Sequence, residues 1–407
     1  MRIFIHTMYY LPEFGSAPIL MKELADYLRE RGHEVEVITT IPRPPHHKKY
    51  RGLLFASRNE NGITVRRYRT NFTVHHIGRL IAWTLYTGWS YLNLRRRVQK
   101  GDVLFLRLPP LQLGWLGKPA RQKKKAGVLL SVQDIHPDLS IESGLLRKTW
   151  AIDLAQKFEK WIYRQADAIA VISGGFRENL LSKGAAPRRL HIVPNWVDTD
   201  FLRPRPRDNP MARKYEFDRK FTVMYSGTIS LSSYVTLKKA VEAAALMKED
   251  PDFLLAIIGE GLKKPDLVNK AKELGLDNVV FLPFQPYEDL PEMLASADVL
   301  LVPLDPTKTQ LSVPSKLYNY MSAGRAVLGL TGDDSEVADI LRKSGGGWNV
   351  GPDDVEGMKA AFQNLMRNPE KCREKGENAR RYIIQNYSKD VVLKRYEDLM
   401  MRTVSGE

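Results

Sequence analysis

The chain has 407 residues, of which 43% are hydrophobic and 27% charged, as in folded globular proteins. This length exceeds one ordinary core, so we expect two lobes of roughly 200 residues each. The single cysteine, Cys372, excludes an internal disulfide framework and a multi-thiolate metal site. The first residues do not resemble a secretory signal, so a cytoplasmic location is predicted. The formal net charge of +15 favours anionic partners such as phosphates, anionic lipid or nucleic acid.

The first part of the chain has the pattern of a parallel sheet. The strand RIFIH precedes a helix with Leu20, Leu24 and Leu28 at helical spacing, and the strand VEVIT follows. Further apolar runs, VLFLRL, VLLSV, AIAVIS and LHIVP, alternate with helical patterns. We therefore predict an α/β lobe over residues 1–195.

A second lobe follows a stretch that is rich in proline and charge. This stretch, NWVDTDFLRPRPRDNPMARKYEF, is typical of an interdomain connection. The strand and helix pattern restarts at TVMYSG, so the linker and second lobe are predicted over 196–387, with a final helix over 388–407. The predicted fold class is α/β, with two Rossmann-like doubly wound lobes. We expect ligands in a cleft at the carboxyl ends of their strands.

Two segments of the first lobe are candidate functional loops. In YLPEFGSAP, Gly15 and Ser16 would bring backbone amides close to an anion, although Gly15 also suits a plain turn and Ser16 a helix cap. In SVQDIHPD, Asp134 and His136 follow a buried strand. They are candidates for a charge-paired general base or for orienting a substrate hydroxyl. Alternatively, Asp134 caps a turn and His136 satisfies backbone groups.

The segment LSVPSKLYNYMSAGRAV of the second lobe is the most specific. Pro314 suits the start of a helix, which leaves the amides of Ser315 and Lys316 without intrahelical partners. The Lys316 cation and the helix dipole would then act on the same ligand, as a diphosphate leaving group requires. The alternative is a solvated lysine on a surface helix.

Two strand-end glycine loops support a phosphate site. Gly227 with Thr228 in GTIS, and Gly259 in IGEGLKK, permit close approach by a nucleotide, and Lys264 is long enough to reach a phosphate. The Asp333 and Asp334 pair precedes a helical pattern, so we predict an N-cap there and no metal site. No cofactor is expected.

The segment IGRLIAWTLYTGWSYLNLRRR is the best candidate for membrane contact. Arg79, several hydroxyls and the terminal arginines interrupt it, so it should not cross a bilayer. Its aromatics and basic cluster are compatible with an interfacial helix, to which the tract RQKKK would add attraction for anionic headgroups. The alternative is that the aromatics pack in the first lobe. The residues concerned are Trp83, Tyr86, Trp89, Tyr91, Arg95, Arg96 and Arg97.

As an ordered set, several segments resemble family-4 glycosyltransferases of the two-lobed GT-B fold. They are YLPEFGSAP, QDIHPD, VPNWVDTDFLRP, YSGTIS, IGEGLKK, VVFLPF, ADVLLVPL and PSKLYNYMSAGRAV. The resemblance covers nearly the whole chain and is strongest for the bacterial branch that builds cell-surface polysaccharide and includes fucosamine transferases. It implies a nucleotide-sugar donor, usually UDP-linked, bound mainly by the second lobe. It also implies a glycan or polyprenyl-linked acceptor on the first lobe, retention of configuration and no metal.

From the residue patterns above, Asp134, His136 and Lys316 are the catalytic candidates. The resemblance adds that the final helix would cross back onto the first lobe. Many family members carry two glutamates, and Leu311 and Asn319 stand at those positions here. An amide at 319 can hydrogen-bond ribose hydroxyls without charge assistance. The implied donor-binding residues are Gly15, Ser16, Gly227, Thr228, Gly259, Lys264, Pro283, Ser315, Leu317 and Asn319.

Three other functions compete with glycosyl transfer. A nucleotide-sugar epimerase would turn over without an acceptor, and a degenerate scaffold would bind a nucleotide sugar without turnover. A nucleic-acid-binding protein would explain the charge, but the sequence has no zinc finger, homeodomain or RNP-like aromatic motif. We therefore expect a glycosyltransferase that contacts an anionic membrane surface peripherally, on the inner face of the cell membrane, and that does not bind nucleic acid.

Overall fold

The computed structural model describes residues 1–13, 15–43, 46–70, 76–142, 144–305 and 313–405. Leu311, one of the two positions compared with family glutamates, lies outside these residues. The chain divides into two compact units. The first unit comprises Met1–Pro194 and Leu393–Glu407, and the second unit comprises Asn195–Val392.

The first unit is built on one mostly parallel sheet. Its strands run in the order β3-β4-β2-β1-β5-β6-β7-β8, and only the β3–β4 pairing is antiparallel. The strands are β1 Arg2–His6, β2 Glu34–Thr40, β3 Phe55–Glu60, β4 Ile63–Tyr68, β5 Val103–Leu108, β6 Gly127–Val132, β7 Ala168–Val171 and β8 Leu190–Ile192. The helices of its first segment are α1 Ser16–Glu30, α2 His76–Arg97, α3 Gly117–Pro119, α4 Asp138–Glu142, α5 Thr149–Tyr163 and α6 Gly174–Ser182.

The second unit has a wholly parallel sheet in the order β11-β10-β9-β12-β13-β14. Its strands are β9 Phe221–Ser226, β10 Phe253–Ile258, β11 Val279–Leu282, β12 Val299–Pro303, β13 Ala326–Leu330 and β14 Gly347–Val350. Its helices are α7 Pro210–Lys214, α8 Leu231–Ala245, α9 Lys264–Glu273, α10 Leu290–Ala295, α11 Ser315–Ser322, α12 Glu336–Ser344, α13 Val355–Arg367 and α14 Pro369–Tyr387. The last helix, α15, spans Lys389–Ser405.

The apolar runs of the sequence become central strands because both faces of such sheets are covered. All residues of β5, β6 and β10 are buried. In β9, Met224 packs into one hydrophobic core while Val223 and Tyr225 pack into another. The second sheet therefore carries a core on each face, and the prediction of two doubly wound α/β lobes is confirmed.

The stretch predicted as an interdomain connection is packed into the second unit. Val197, Leu202, Met211 and Phe217 are buried in one of the cores of that unit. The Asn209 side chain caps α7 by accepting hydrogen bonds from two backbone amides. Sequence reasoning missed this because isolated apolar residues among prolines and charges show no periodicity.

Helix α2 places its aromatic side chains differently from the membrane hypothesis. The Tyr86 hydroxyl is buried and donates to the Ile38 carbonyl at 2.8 Å. Trp83 packs on His136, Trp89 on Tyr68 and Tyr91 on Trp115, with ring centroids 5.5, 5.0 and 5.1 Å apart. Tyr86 is thus buried and does not belong to an interfacial face. Trp83, Trp89 and Tyr91 are half-buried and pack on rings of the unit, as the alternative interpretation of the sequence expects.

An aliphatic stripe takes the outer face of α2. Leu80, Ile81, Leu85 and Leu92 are exposed and recur at helical spacing. Arg95 and Arg96, also exposed, extend the stripe at the carboxyl end of the helix. Among the described helices, none combines the length and the apolar character that crossing a membrane requires.

The predicted N-cap at Asp333 and Asp334 is also wrong. Ser335 caps α12, and its hydroxyl accepts a hydrogen bond from the Ala338 amide. One Asp333 carboxylate oxygen instead accepts from the Asn349 side chain at 3.0 Å. The short hydroxyl suits the cap position directly before the helix.

Helix α15 is held in the first unit by Glu397. Its carboxylate accepts hydrogen bonds from Tyr27 at 3.1 Å and His33 at 2.9 Å, and Arg31 lies 3.5 Å away. Burial opposes ionisation of Glu397, yet these hydrogen bonds and the Arg31 charge lower its pKa. The anchor therefore contributes stability at neutral pH and loses it as the pH falls through this lowered pKa.

Replacement of Glu397 by glutamine should lower the free energy of unfolding by about 1–3 kcal/mol, since Tyr27 and His33 lose a charged acceptor. Scanning calorimetry of the full chain measures the change, which should shrink in acid as the wild-type carboxylate protonates. The control is Asp398→Asn, because the exposed Lys394–Asp398 pair is worth less than about 1 kcal/mol. Equal shifts in both variants would contradict the anchor.

Candidate active site

The candidate site of the second unit lies at the switch point of its sheet. The strand order reverses between β9 and β12, where open α/β sheets bind ligands outside the carboxyl ends of their strands. The loop after β9 contains Gly227 and Thr228, and helix α11 follows β12 along the chain. Pro314 is the N-cap residue of α11, and the amides of Ser315 and Lys316 occupy its first turn, as the sequence predicts.

Lys316 is the cation of this site. Its ammonium donates to the Tyr225 hydroxyl at 2.7 Å and lies 4.3 Å from the centroid of the Tyr225 ring. The Tyr225 hydroxyl in turn donates to the Thr228 carbonyl at 2.7 Å. Desolvation lowers the pKa of Lys316 to about 8. The side chain is thus fixed next to the β9 loop and carries a positive charge that little water screens.

Two glycines shape the backbone beside Lys316. A Cβ atom on Gly227 would lie 3.2 Å from the Lys316 ammonium nitrogen, and one on Gly259 would lie 1.9 Å from the Gly227 carbonyl oxygen. Both residues also have positive φ angles, 158° and 150°. Any larger residue at Gly259 would force the β9 and β10 loops apart, so glycine is required there by sterics.

A recess of about 460 Å³ opens in front of Lys316. We call it the Lys316 recess. Exposed aromatic rings of Phe284 and Tyr287 form one part of its wall, and Asn319 lies on α11 at another. Flat rings suit a nucleobase and an amide suits hydroxyl groups. The predicted donor residues that line it are Gly227, Thr228, Ser315 and Asn319, and the catalytic candidate Lys316 lines it as well.

Other predicted donor residues lie elsewhere. The Lys264 ammonium donates to Glu260 at 2.7 Å and to the Leu282 carbonyl at 3.2 Å, and Lys264 is not among the residues that line the Lys316 recess. The Leu317 side chain is fully buried in the core, and its amide donates to the Pro314 carbonyl. Pro283 directly precedes the wall residue Phe284.

Sequence reasoning missed the two tyrosines that support this recess. Tyr225 positions Lys316, and the Tyr320 hydroxyl accepts from the Ser226 amide at 2.9 Å and donates to the Ser226 carbonyl at 2.7 Å. Both side chains are buried inside apolar patterns, where a tyrosine is indistinguishable from a core aromatic. The signal available was only that buried tyrosine hydroxyls need partners.

In the first unit, the loop after β1 leads to an open helix terminus. Gly15 is the N-cap residue of α1 with a φ of 115°, and within the described part of the chain no side chain caps this helix. Ser16 begins the helix and is exposed. The loop is tied down by Glu13, whose carboxylate accepts from the Arg43 amide at 2.8 Å. The alternative in which Ser16 caps the helix is thus not found, and an anion at the Gly15 and Ser16 amides stays a prediction.

The expected pairing of Asp134 with His136 is not formed within the described residues. His136 Nδ1 is 3.1 Å from the Ser140 hydroxyl, and burial together with the Arg79 charge lowers its pKa. The charged neighbour of Asp134 is Arg107. Desolvation raises the pKa of the Asp134 carboxyl group, and the positive charge of Arg107 opposes this rise. The local chain after β6 turns the two side chains to different partners.

Arg107 and His6 were not predicted as site residues. Arg107 lies near the carboxyl end of the otherwise apolar strand β5, and burial lowers its pKa to about 10. His6 ends β1, and burial lowers its pKa to about 3, so its ring is neutral. Neither ring nitrogen of His6 has a hydrogen-bond partner in the part of the chain that the structure describes. A charged residue inside the run VLFLRL was the signal available for Arg107.

The first unit also has a recess, which we call the His136 groove; it lies beside α2 and has a volume of about 480 Å³. Most of its wall is apolar, and Arg79 and His136 provide polar groups. Its apolar residues include Leu80, Trp83, Leu111, Leu145, Leu146 and Phe158. Across the described ranges, no group of three or more His, Cys, Asp or Glu side chains has a metal-binding arrangement.

Comparisons with known proteins agree with this architecture. The family model described as glycosyl transferase 4-like domain matches residues 19–196, and that of glycosyl transferases group 1 matches residues 208–382. The chain is 26% identical to the Escherichia coli protein named as colanic acid biosynthesis glycosyl transferase WcaI, over 97% of this chain and 98% of that protein. It is 25% identical to the Pseudomonas aeruginosa protein named as glycosyltransferase WbjE, over 75% and 76%.

Solved structures extend the likeness to the whole fold. Anabaena HepE, solved in complex with UDP and glucose, is similar with a TM-score of 0.70 and 15% identity, over 100% of both chains. The two matched domains follow each other in the order of the two units described above. The chain therefore belongs to the family-4 glycosyltransferases of the GT-B fold.

Proposed function

We propose that the protein moves a sugar from a UDP-linked donor to a lipid-linked glycan acceptor, with retention of configuration, in the synthesis of a cell-surface polysaccharide. The observation that carries the proposal is the Lys316 ammonium, held by Tyr225 at the N-terminus of α11 inside a recess with an aromatic wall. This arrangement suits a nucleoside diphosphate, with its base on the rings and its phosphates at the helix terminus.

Three observations support the donor assignment. The Lys316 recess brings together backbone amides, a cation and Asn319, which suit phosphate and ribose groups. The relatives WcaI and WbjE are named as glycosyltransferases. The family resemblance implies a UDP-linked donor and retention, and Anabaena HepE was solved with UDP.

Lys316 would act on the leaving group. As the bond between the sugar and the diphosphate breaks, negative charge develops on the phosphate oxygens. The protonated Lys316 ammonium and the amides at the start of α11 are already oriented in the enzyme, so stabilising this charge requires little reorganisation. Because the site offers this cation, we propose that transfer does not require a metal ion.

The first unit would bind the acceptor. Burial and Arg79 lower the pKa of His136, so its ring is neutral at pH 7 and can accept a hydrogen bond from an acceptor hydroxyl. The apolar wall of the His136 groove suits the hydrocarbon part of a lipid-linked acceptor, and Arg79 suits its phosphate. The name of WcaI, which refers to colanic acid biosynthesis, supports a polysaccharide product.

We propose that α2 holds the protein at the inner face of the membrane through its aliphatic stripe rather than through its aromatics. Leu80, Ile81 and Leu85 are exposed beside the His136 groove, since Leu80 also lines that groove. Arg95 and Arg96 would contribute about 1 kcal/mol each at an anionic surface. The stripe and the groove together suit an acceptor embedded in lipid.

The function is tested with nucleotide sugars and acceptor. In a thermal-shift panel, a UDP-sugar should raise the unfolding temperature more than GDP- or dTDP-sugars, since it binds the native state.

With a polyprenyl diphosphate-linked glycan, transfer should proceed in the presence of EDTA, and NMR of the product should show the anomeric configuration of the donor. Isomerised donor without acceptor would indicate an epimerase, and binding without turnover a scaffold. Loss of activity in EDTA, restored by magnesium or manganese, would contradict metal independence.

Replacing Lys316 by alanine should lower kcat by about 10²–10³-fold, because the leaving phosphate loses its cation. In the wild type, kcat/KM for the donor should fall as the pH rises through about 8, where the free enzyme loses the Lys316 proton. This limb of the pH profile should be absent from Lys316→Ala.

Lys239→Ala is the matched control, because Lys239 is paired with Glu242 on α8 and does not line the Lys316 recess. It should retain kcat and the full pH profile. A folded Lys316→Ala enzyme with wild-type kcat would remove Lys316 from the mechanism.

The membrane proposal predicts that Ile81→Ser with Leu85→Ser reduces sedimentation with anionic vesicles, as does Arg95→Glu with Arg96→Glu. Turnover of a short soluble acceptor should be unchanged. Leu246→Ser with Ile384→Ser is the matched control, since it removes two exposed aliphatic side chains from the second unit. A wild-type protein that does not sediment with such vesicles at low salt would contradict the proposal.

A further inference from the structure

A third cavity lies at the opposite edge of the sheet of the first unit. It occupies about 580 Å³ next to Asp167, which precedes β7, and to Arg188 and Arg189, which precede β8. The last turn of α15 closes it with Arg402 and Thr403. Because it opens at the amino ends of parallel strands, it is separate from the edge that carries Gly15, Asp134 and His136.

Positive charge dominates this cavity, which we call the Arg188 cavity. Arg188, Arg189 and Arg402 line it together with His191, and Asp167 is the single carboxylate of its lining. Asp167 is already engaged, because Arg121 Nε lies 2.6 Å from one of its oxygens and the Val128 amide donates to the other at 2.9 Å. The Asp167 charge acts on both Arg121 and Arg189, so this one carboxylate does not balance the three arginines of the lining.

The guanidinium groups are also close to each other. Arg121 and Arg189 both donate to the Arg164 carbonyl oxygen, at 3.4 and 3.1 Å. Burial and then the charges of Arg121 and Arg188 lower the pKa of Arg189, and burial and then Arg402 lower that of His191. Among the described residues, no hydrogen-bond or ion-pair partner is found for the side chains of Arg188 and Arg402. Arg188 and Arg402 are exposed and Arg189 is half-buried, so solvent screens part of the repulsion within this set, and a bound anion would relieve the remainder.

We propose that the Arg188 cavity is a second anion site that binds a phosphate-bearing ligand, either a free phosphorylated metabolite or the phosphomonoester headgroup of a lipid. Planar guanidinium groups bind phosphate through paired hydrogen bonds, and Thr403 adds a hydroxyl. Since Arg402 and Thr403 lie on α15 and the other residues on the strand edge, a bound phosphate would tie this helix to the sheet. The cavity would bind phosphate whichever sugar the enzyme transfers.

The test uses inorganic pyrophosphate and isothermal titration of the full chain in phosphate-free buffer. Arg188→Gln with Arg402→Gln should bind pyrophosphate at least about tenfold more weakly than wild type at this site, because two charge-assisted contacts are lost. Lys248→Gln with Lys272→Gln removes the same charge from exposed positions of the second unit and should bind as wild type. Binding at the Lys316 recess is common to all three proteins, so the difference isolates the Arg188 cavity.

Vesicles of phosphatidylcholine with and without phosphatidic acid distinguish the two sources. Loss of pyrophosphate binding alone in Arg188→Gln with Arg402→Gln identifies a free ligand, and loss of phosphatidic acid-dependent sedimentation identifies a headgroup. Either result, with circular dichroism showing a folded variant, supports the site. Unchanged binding of both probes, or the same loss in the charge-matched control, overturns it.

Discussion

The close approach of two backbone segments in the second unit determines the rest of its site. The Gly227 carbonyl occupies the space that a side chain at Gly259 would need, so the loops after β9 and β10 meet without an intervening side chain. The side of Gly227 on which a Cβ atom would stand faces the Lys316 ammonium. Because the Lys316 ammonium lies 3.2 Å from the position of that Cβ atom, a side chain at position 227 would crowd it. The shape of the recess therefore depends on Gly227 and Gly259, which have no Cβ atom.

The same lysine shows how a fold selects one cation among many. The chain has 62 lysine and arginine residues, and several of the lysines pair with nearby carboxylates, such as Lys263 with Asp266 and Lys264 with Glu260. Lys316 instead has a neutral hydroxyl and an aromatic face as its neighbours, and these hold the side chain without neutralising its charge. Among the described residues no ion-pair partner of Lys316 is found, whereas Lys264 is paired with Glu260.

Much of the fold was predictable because buried parallel strands have apolar sequences. Pro314 indicated the start of a helix, and Gly227 and Gly259 indicated loops at the ends of strands. Interactions between distant residues were not predictable. The bond between Lys316 and Tyr225 joins positions 91 residues apart, and nothing local distinguishes Tyr225 from a core aromatic. The rings of α2 have an interfacial composition, and the sequence did not show that Trp89 stacks on Tyr68 or that Tyr91 packs on Trp115. The β3–β4 hairpin escaped notice because the β3 sequence, FASRNE, is mostly exposed and has no apolar run.

The path of α15 has a consequence for the order of assembly during synthesis. The second unit is contained in one continuous segment, Asn195–Val392, whereas the first unit includes Leu393–Glu407. On the ribosome, the sheet of the first unit emerges early but lacks Tyr396, whose ring packs on Phe105 and whose hydroxyl lies 3.3 Å from that of Ser131. The unit made first is therefore completed last, and until translation reaches α15 the nascent chain exposes the surface that this helix covers.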